Sequence, residues 1–154
     1  MINKIVYSWD EVELSTETKE LIELKPTEVK NLKMLTDYDF DDRYVGDKLG
    51  NVYLIKASDK GKLYGTKMMP YLTRDKYVEY VLTTKYKNKK HIQAQRICAG
   101  LWVPRPANSP AKYVNHKNGD RGDNRMENLE WVTHSENIYH SWNVLRKDPN
   151  RIKY

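Results

Sequence analysis

Cysteine is almost absent from this sequence: Cys98 is the only one in 154 residues. A single thiol excludes an internal disulfide framework and any structural zinc site built from several thiolates. Long apolar runs are missing too. No stretch approaches the roughly 20 apolar residues of a membrane-spanning helix. Met1–Asp10 has neither the apolar segment nor the small-residue cleavage site of a secretory leader. The expectation is a cytoplasmic protein without a membrane partner. There is no internal repeat and no low-complexity tract.

Charge is abundant and unevenly spread. Charged residues make up 31% of the chain and hydrophobic residues 39%, the balance of a globular protein with about one domain's length. The formal net charge is +6. Residues 1–42 hold 5 Lys/Arg against 11 Asp/Glu, whereas residues 43–154 hold 22 against 10. A basic body suits a polyanionic partner, because each cation set against a phosphate releases condensed counterions; a merely solubilising surface is the alternative. The acidic segment reads as a dock for a protein partner or a shield over the basic groove.

Pattern divides the chain into three. Residues 1–42 read as an acidic, partly helical lead-in, with one helix over Thr16–Lys25 and a second opened by Pro26 and running to Leu35. Residues 43–91 read as β-rich: a strand at Val52–Lys56, a turn at Asp59–Lys62, a strand at Tyr77–Leu82 and a basic hairpin tip at Lys87–Lys90. In residues 92–154, Ile92–Val103 reads as a helix stopped before Pro104, and Pro104–Pro110 as a stiff connector. Cys98 reads as a buried helix residue rather than a nucleophile.

The chemistry is concentrated between Tyr113 and His140. Tyr113-Val114 is a short strand that delivers Asn115 and His116 side by side. Lys117–Arg125, rich in Gly, Asp and Asn, is a loop folded by side-chain-to-backbone hydrogen bonds. Leu129–Val132 is a second strand, with Trp131 expected in the core. Thr133 and Glu136 form a capping box, so a helix over about 134–145 begins there. On it, Ile138, Trp142 and Leu145 define a buried face, and Asn137 and His140 share a neighbouring one. A hairpin backed by such a helix can hold one divalent ion against a phosphate oxygen and the leaving 3′-oxygen. An adjacent imidazole, with its near-neutral pKa, can take a proton from water.

This segment resembles the HNH motif of the ββα-metal nucleases, most of all the phage and intron homing-endonuclease branch. The likeness lies in Val114-Asn115-His116, the asparagine-bearing loop, Asn128-Leu129-Glu130-Trp131-Val132-Thr133 and the helix carrying Asn137. It is specific over about 92–142 and faint over 46–91. Upstream, Gln95–Pro106 is similar to a helix-and-proline stretch of the family, with Gln95 where a His is usual. The resemblance implies an α+β fold, a ββα-metal HNH motif following a small β-rich region. It implies a phosphodiester hydrolase acting on DNA, phage-encoded and working in a bacterial host. By resemblance, His116 is the general base, Asn128 pins the loop that aims it, and Asn115 and Asn137 bind Mg²⁺ or Mn²⁺, with His140 a third ligand or a phosphate contact. Lys85, Lys87, Lys89, Lys90, Arg96, Lys117, Arg121 and Arg125 are the expected DNA contacts. Well-described relatives carry Asp where this chain has Asn115, an uncharged but still hard oxygen ligand. That departure is the one feature favouring the alternative, a non-cleaving DNA-binding protein that keeps the HNH scaffold.

Overall fold

The computed structural model describes residues 17–142. Among the described residues, ten strands form three sheets, with one helix between them and a second at the end. The first five strands are β1 (Glu17–Leu24), β2 (Val29–Asn31), β3 (Tyr44–Asp47), β4 (Val52–Asp59) and β5 (Lys62–Met68), joined in the order β1-β5-β4-β3-β2. A second sheet, β6-β7-β8, is built from Tyr71–Leu72, Val78–Thr83 and Lys89–Gln93. Helix α1 (Ala94–Trp102) follows β8 directly. The chain then makes the two-stranded hairpin of β9 (Tyr113–His116) and β10 (Leu129–Val132) and ends its described part in helix α2 (His134–His140).

The helices expected before residue 36 are absent. Ile22 and Leu24 lie two apart on the inward face of a strand, while Glu23 between them is exposed and Leu21 before them is 54% exposed. That is period-two patterning, and β1 pairs with β5 from Glu17 to Leu24. Pro26 lies in a turn closed by the Glu28 amide donating to the Lys25 carbonyl at 2.9 Å, so it reverses the chain instead of opening a helix. Val29–Asn31 then pairs with β3, and only Leu32–Met34 winds into a single 3-10 turn. Residues 17–42 are therefore no lead-in. β1 and β2 supply the two edges of the sheet whose middle comes from residues 44–68. The run Asp37–Asp42 also belongs to the body: Asp41 is buried, its carboxylate takes both Nε and Nη2 of Arg43, and its amide donates to the Thr83 carbonyl.

The turn expected at Asp59–Lys62 is the β4–β5 hairpin. Lys60 and Gly61 at its tip have φ of 50° and 80°, the left-handed pair that matches the twist of the flanking strands. The residues of α1 divide between two cores. Ile97 and Leu101 enter the main one, with Leu32, Phe40, Tyr44, Val52, Tyr80 and Leu82. Cys98 and Ala99 join Leu129 in a second, covered by Val114, Met126 and Trp131. Burial pushes the Cys98 thiol up to about 12, so it stays protonated and unreactive, as its helix position suggested. One helix thus fastens the hairpin to the β-rich body. No helix among the described residues is long and apolar enough to cross a membrane.

Candidate active site

The expected hairpin forms, pairing Asn115 opposite Glu130 and His116 opposite Leu129. Thr133 caps α2: its hydroxyl accepts from the Glu136 amide, and the Glu136 carboxylate accepts from the Thr133 amide. The apolar face expected on this helix is not buried. Ile138 is 44% and Trp142 57% exposed, and no residue of α2 is fully buried. An eight-residue ribbon is too narrow to cover a helix stripe as well as the polar face turned toward it. Leu145 lies outside the described residues.

Between hairpin and helix lies a cleft of about 250 Å³ lined by Tyr77, Asn115, His116, Arg121, Asn137 and Ser141, among others. His116 is buried, and its Nε2 lies 2.8 Å from Oδ1 of Asn124. An amide oxygen only accepts, so Nε2 carries the proton and Nδ1 keeps its lone pair. Burial holds the imidazole pKa below its ordinary 6.5, outweighing the opposing effect of the Asn124 hydrogen bond. The ring is thus neutral at neutral pH.

Asn128 ties the intervening loop together. Its Oδ1 accepts from the Asn118 amide, and its Nδ2 donates to Asn118 Oδ1 and to the Asp123 carbonyl. Asn124 is the next residue along. The loop is also gripped from the β-rich body: the Met126 amide donates to the Lys48 carbonyl at 2.8 Å, and Arg121 donates to the Asp75 carbonyl at 2.7 Å while lying over the Tyr77 ring. Gly50 sits against Asn124 so closely that an added Cβ would meet its carbonyl oxygen at 2.8 Å.

Asn115 is buried and donates from Nδ2 to Glu130 Oε2 at 2.8 Å. Its Oδ1 takes no hydrogen bond among the described residues, and neither does the side chain of Asn137. These two amide groups, lining one cleft beside His116, are a fitting donor set for a hard divalent ion. His140 is not with them. It lines the adjoining hollow with Glu130, Val132, Ser135, Glu136 and Tyr139, because it lies one helical turn beyond Asn137.

Among the expected DNA contacts, Arg121 lines the cleft and Lys117 is exposed at its loop. Lys85, Lys87, Lys89 and Lys90 project from the β7–β8 hairpin, all exposed, with Lys85 paired to Asp39 and Lys90 over the Tyr38 ring. Arg96 lies elsewhere, over Trp131 and donating to the Lys112 carbonyl. Arg125 is paired to Asp123 and Glu127. Three residues at the site escaped the sequence reading: Tyr77, which lines the cleft, and Asn124 and Glu130, which hold His116 and Asn115 from outside it. Only Glu130 left a usable signal, since the hairpin register sets it opposite Asn115.

Residues 106–139 match the family model described as HNH endonuclease. Two uncharacterized HNH endonucleases of Acanthamoeba polyphaga mimivirus are similar to this chain. One is 34% identical over 100 residues, covering 65% of this chain and 23% of that protein. The other is 32% identical over 92 residues, covering 58% and 27%. The chain therefore spans about a quarter of the curated relatives it matches. A solved structure describing DNA binding and cleavage by the HNH homing endonuclease I-HmuI is similar in fold, with TM-score 0.58 and 24% identity over 74% of this chain and 57% of that one. Residues 106–139 are thus similar to the HNH endonuclease family, and they are set in a fold like that of a solved HNH homing endonuclease.

Proposed function

We propose that this chain is a metal-dependent DNA endonuclease that hydrolyses phosphodiester bonds. The observation that carries this reading is the convergence of Asn115, neutral His116 and Asn137 on one cleft. His116 Nδ1 is the base that takes the proton from water attacking the phosphate, and Asn124 holds the ring in the tautomer that leaves Nδ1 free. Asn128 fixes the loop that presents Asn124. Asn115 Oδ1 and Asn137 would hold Mg²⁺ or Mn²⁺, and the ion would supply charge stabilisation for the scissile phosphate and the departing 3′-oxygen. Arg121, braced on Tyr77, meets the DNA backbone at the cleft mouth, and the lysines of the β7–β8 hairpin extend that contact.

Supercoiled plasmid incubated with the protein and Mg²⁺ or Mn²⁺ tests this. Nicked or linear product that vanishes with chelator is expected. Plasmid that is bound but never cut with either ion would establish the alternative, a non-cleaving DNA-binding protein on an HNH scaffold.

A further inference from the structure

The cleft lacks a charge where its ion would sit. Neither Asn115 nor Asn137 is ionised, and among the described residues no group of three or more His, Cys, Asp or Glu is placed to hold a metal. A neutral amide also has a difficulty that a carboxylate does not: it presents its oxygen or its NH₂ depending on which way it is turned, and an NH₂ repels a cation. Something must decide the orientation of Asn115.

Glu130 meets that requirement. It stands opposite Asn115 in the antiparallel pairing of β9 with β10, and cross-strand partners project from the same face. Its Oε2 takes the Asn115 Nδ2 at 2.8 Å. An ionised carboxylate only accepts, so the amide must turn its nitrogen to Glu130 and its oxygen away. That oxygen has no other partner among the described residues, and the residue lines the cleft with His116 and Asn137. Glu130 itself is not a cleft residue; it lines the adjoining hollow with Val132 and His140. Its charge therefore acts from behind the ligand. Donation to a carboxylate makes the amide oxygen a stronger donor to a cation, as outer partners of metal ligands generally do.

We infer that Glu130 is the positioning residue of the metal site, holding Asn115 with its carbonyl oxygen toward the cleft and supplying through that hydrogen bond the negative charge the two asparagines lack. The inference rests on the metal-dependent reading above and deepens it.

The test is Mn²⁺ binding by the full chain without DNA, read as loss of the free Mn²⁺ signal in electron paramagnetic resonance. Circular dichroism and the melting midpoint report the fold alongside. Glu130→Leu is expected to bind Mn²⁺ about ten- to a hundredfold more weakly than the parent, the usual effect of removing an outer partner. Glu130→Gln still accepts from Asn115 but carries no charge, and is expected to fall between the two. Asn115→Asp combined with Glu130→Leu should recover binding, because a carboxylate offers an oxygen whichever way it turns. A structural role alone would lower the melting midpoint and give no such rescue. A parent that binds no Mn²⁺ would overturn the metal-dependent reading itself. A parent that binds, with Glu130→Leu and Glu130→Gln binding equally well, overturns the role of Glu130 and leaves the metal reading standing. Should Glu130→Leu fail to fold, Glu130→Gln decides alone, parent-like affinity counting against the proposal.

Discussion

The imidazole of His116 and the carboxamide of Asn124 are joined by a buried hydrogen bond of 2.8 Å, Nε2 to Oδ1. The bond spans the loop between the hairpin strands, so the state of the ring depends on the path of that loop. Asn124→Leu leaves the buried Nε2–H unpaired and lets the ring take either tautomer. Cleavage is expected to drop at least tenfold while Mn²⁺ binding stays at the parent value. Asn124→Asp keeps an acceptor but adds a negative charge beside the ring, which favours imidazolium. Its pH–rate limb should move to higher pH, a shift visible in cleavage rates measured from pH 5 to 8.

The parent's own limb follows from the burial of His116. The base works when neutral, and its pKa in the fold is held below 6.5. Rate should therefore rise with pH through a midpoint under that value and be flat at neutral pH. The same depression makes the fold most stable above pH 6.5 and costs stability as pH falls below it, since the unfolded chain takes up the proton first. His116→Ala should lower the rate by about 10²–10⁴-fold and abolish the limb. Duplex DNA affinity should hardly change. A His116→Ala enzyme that cuts at parental speed with the same pH profile would remove His116 from the mechanism.

The hairpin, the capping box and the convergence of Asn115, His116 and Asn137 were legible in sequence because local signals wrote them: strand alternation, a Thr133–Glu136 spacing of three, a loop full of turn formers. β1 was not legible. Leu21, Ile22 and Leu24 among charges fit a helix as well as a strand, and pairing with β5, some forty residues away in sequence, decided the matter. Tyr77 and Asn124 were hidden for a related reason. Tyr77 reaches the cleft from the connection between β6 and β7, and Asn124 is one of several loop asparagines until the fold closes on it. Ile138 and Trp142 are the converse case: their spacing fits a buried stripe, yet both are exposed.

Gly50 links the β-rich body to the base. It has φ of +89°, and a Cβ there would lie 2.8 Å from the Asn124 carbonyl oxygen. Gly50→Ala meets both the left-handed backbone penalty and a collision with main chain. A loss of about 1–3 kcal/mol is expected on the first ground alone. Because the displaced atom belongs to Asn124, cleavage should fall further than stability does at a temperature where the variant remains folded. Urea melts and plasmid nicking on the same preparation separate the two effects.

Removing residues 1–42 should unfold the protein instead of exposing a groove. Leu24, Leu32, Leu35 and Phe40 are all buried, and β1 and β2 cover both edges of the five-stranded sheet. Trimming one such side chain typically costs about 2–5 kcal/mol, against a total stability of about 5–15 kcal/mol. The truncated chain should show no cooperative melt. A folded, DNA-binding fragment 43–154 would mean that the sheet tolerates loss of both edges.

Salt dependence can sort the basic residues. Affinity for duplex DNA should fall steeply as salt rises, with a log–log slope of about −0.9 for each phosphate contact. Lys117 is exposed beside the cleft, so Lys117→Gln should make the slope shallower by about 0.9. Arg125 is engaged by both Asp123 and Glu127, which offset its charge locally. Arg125→Gln should leave the slope nearly unchanged. The four lysines of the β7–β8 hairpin discriminate most, since they lie on a different sheet from the motif. Replacing Lys85, Lys87, Lys89 and Lys90 together by Gln should remove several units of slope if DNA runs from the cleft across that hairpin. An unchanged slope in a folded quadruple variant would confine the DNA contact to the hairpin of β9 and β10 and its loop.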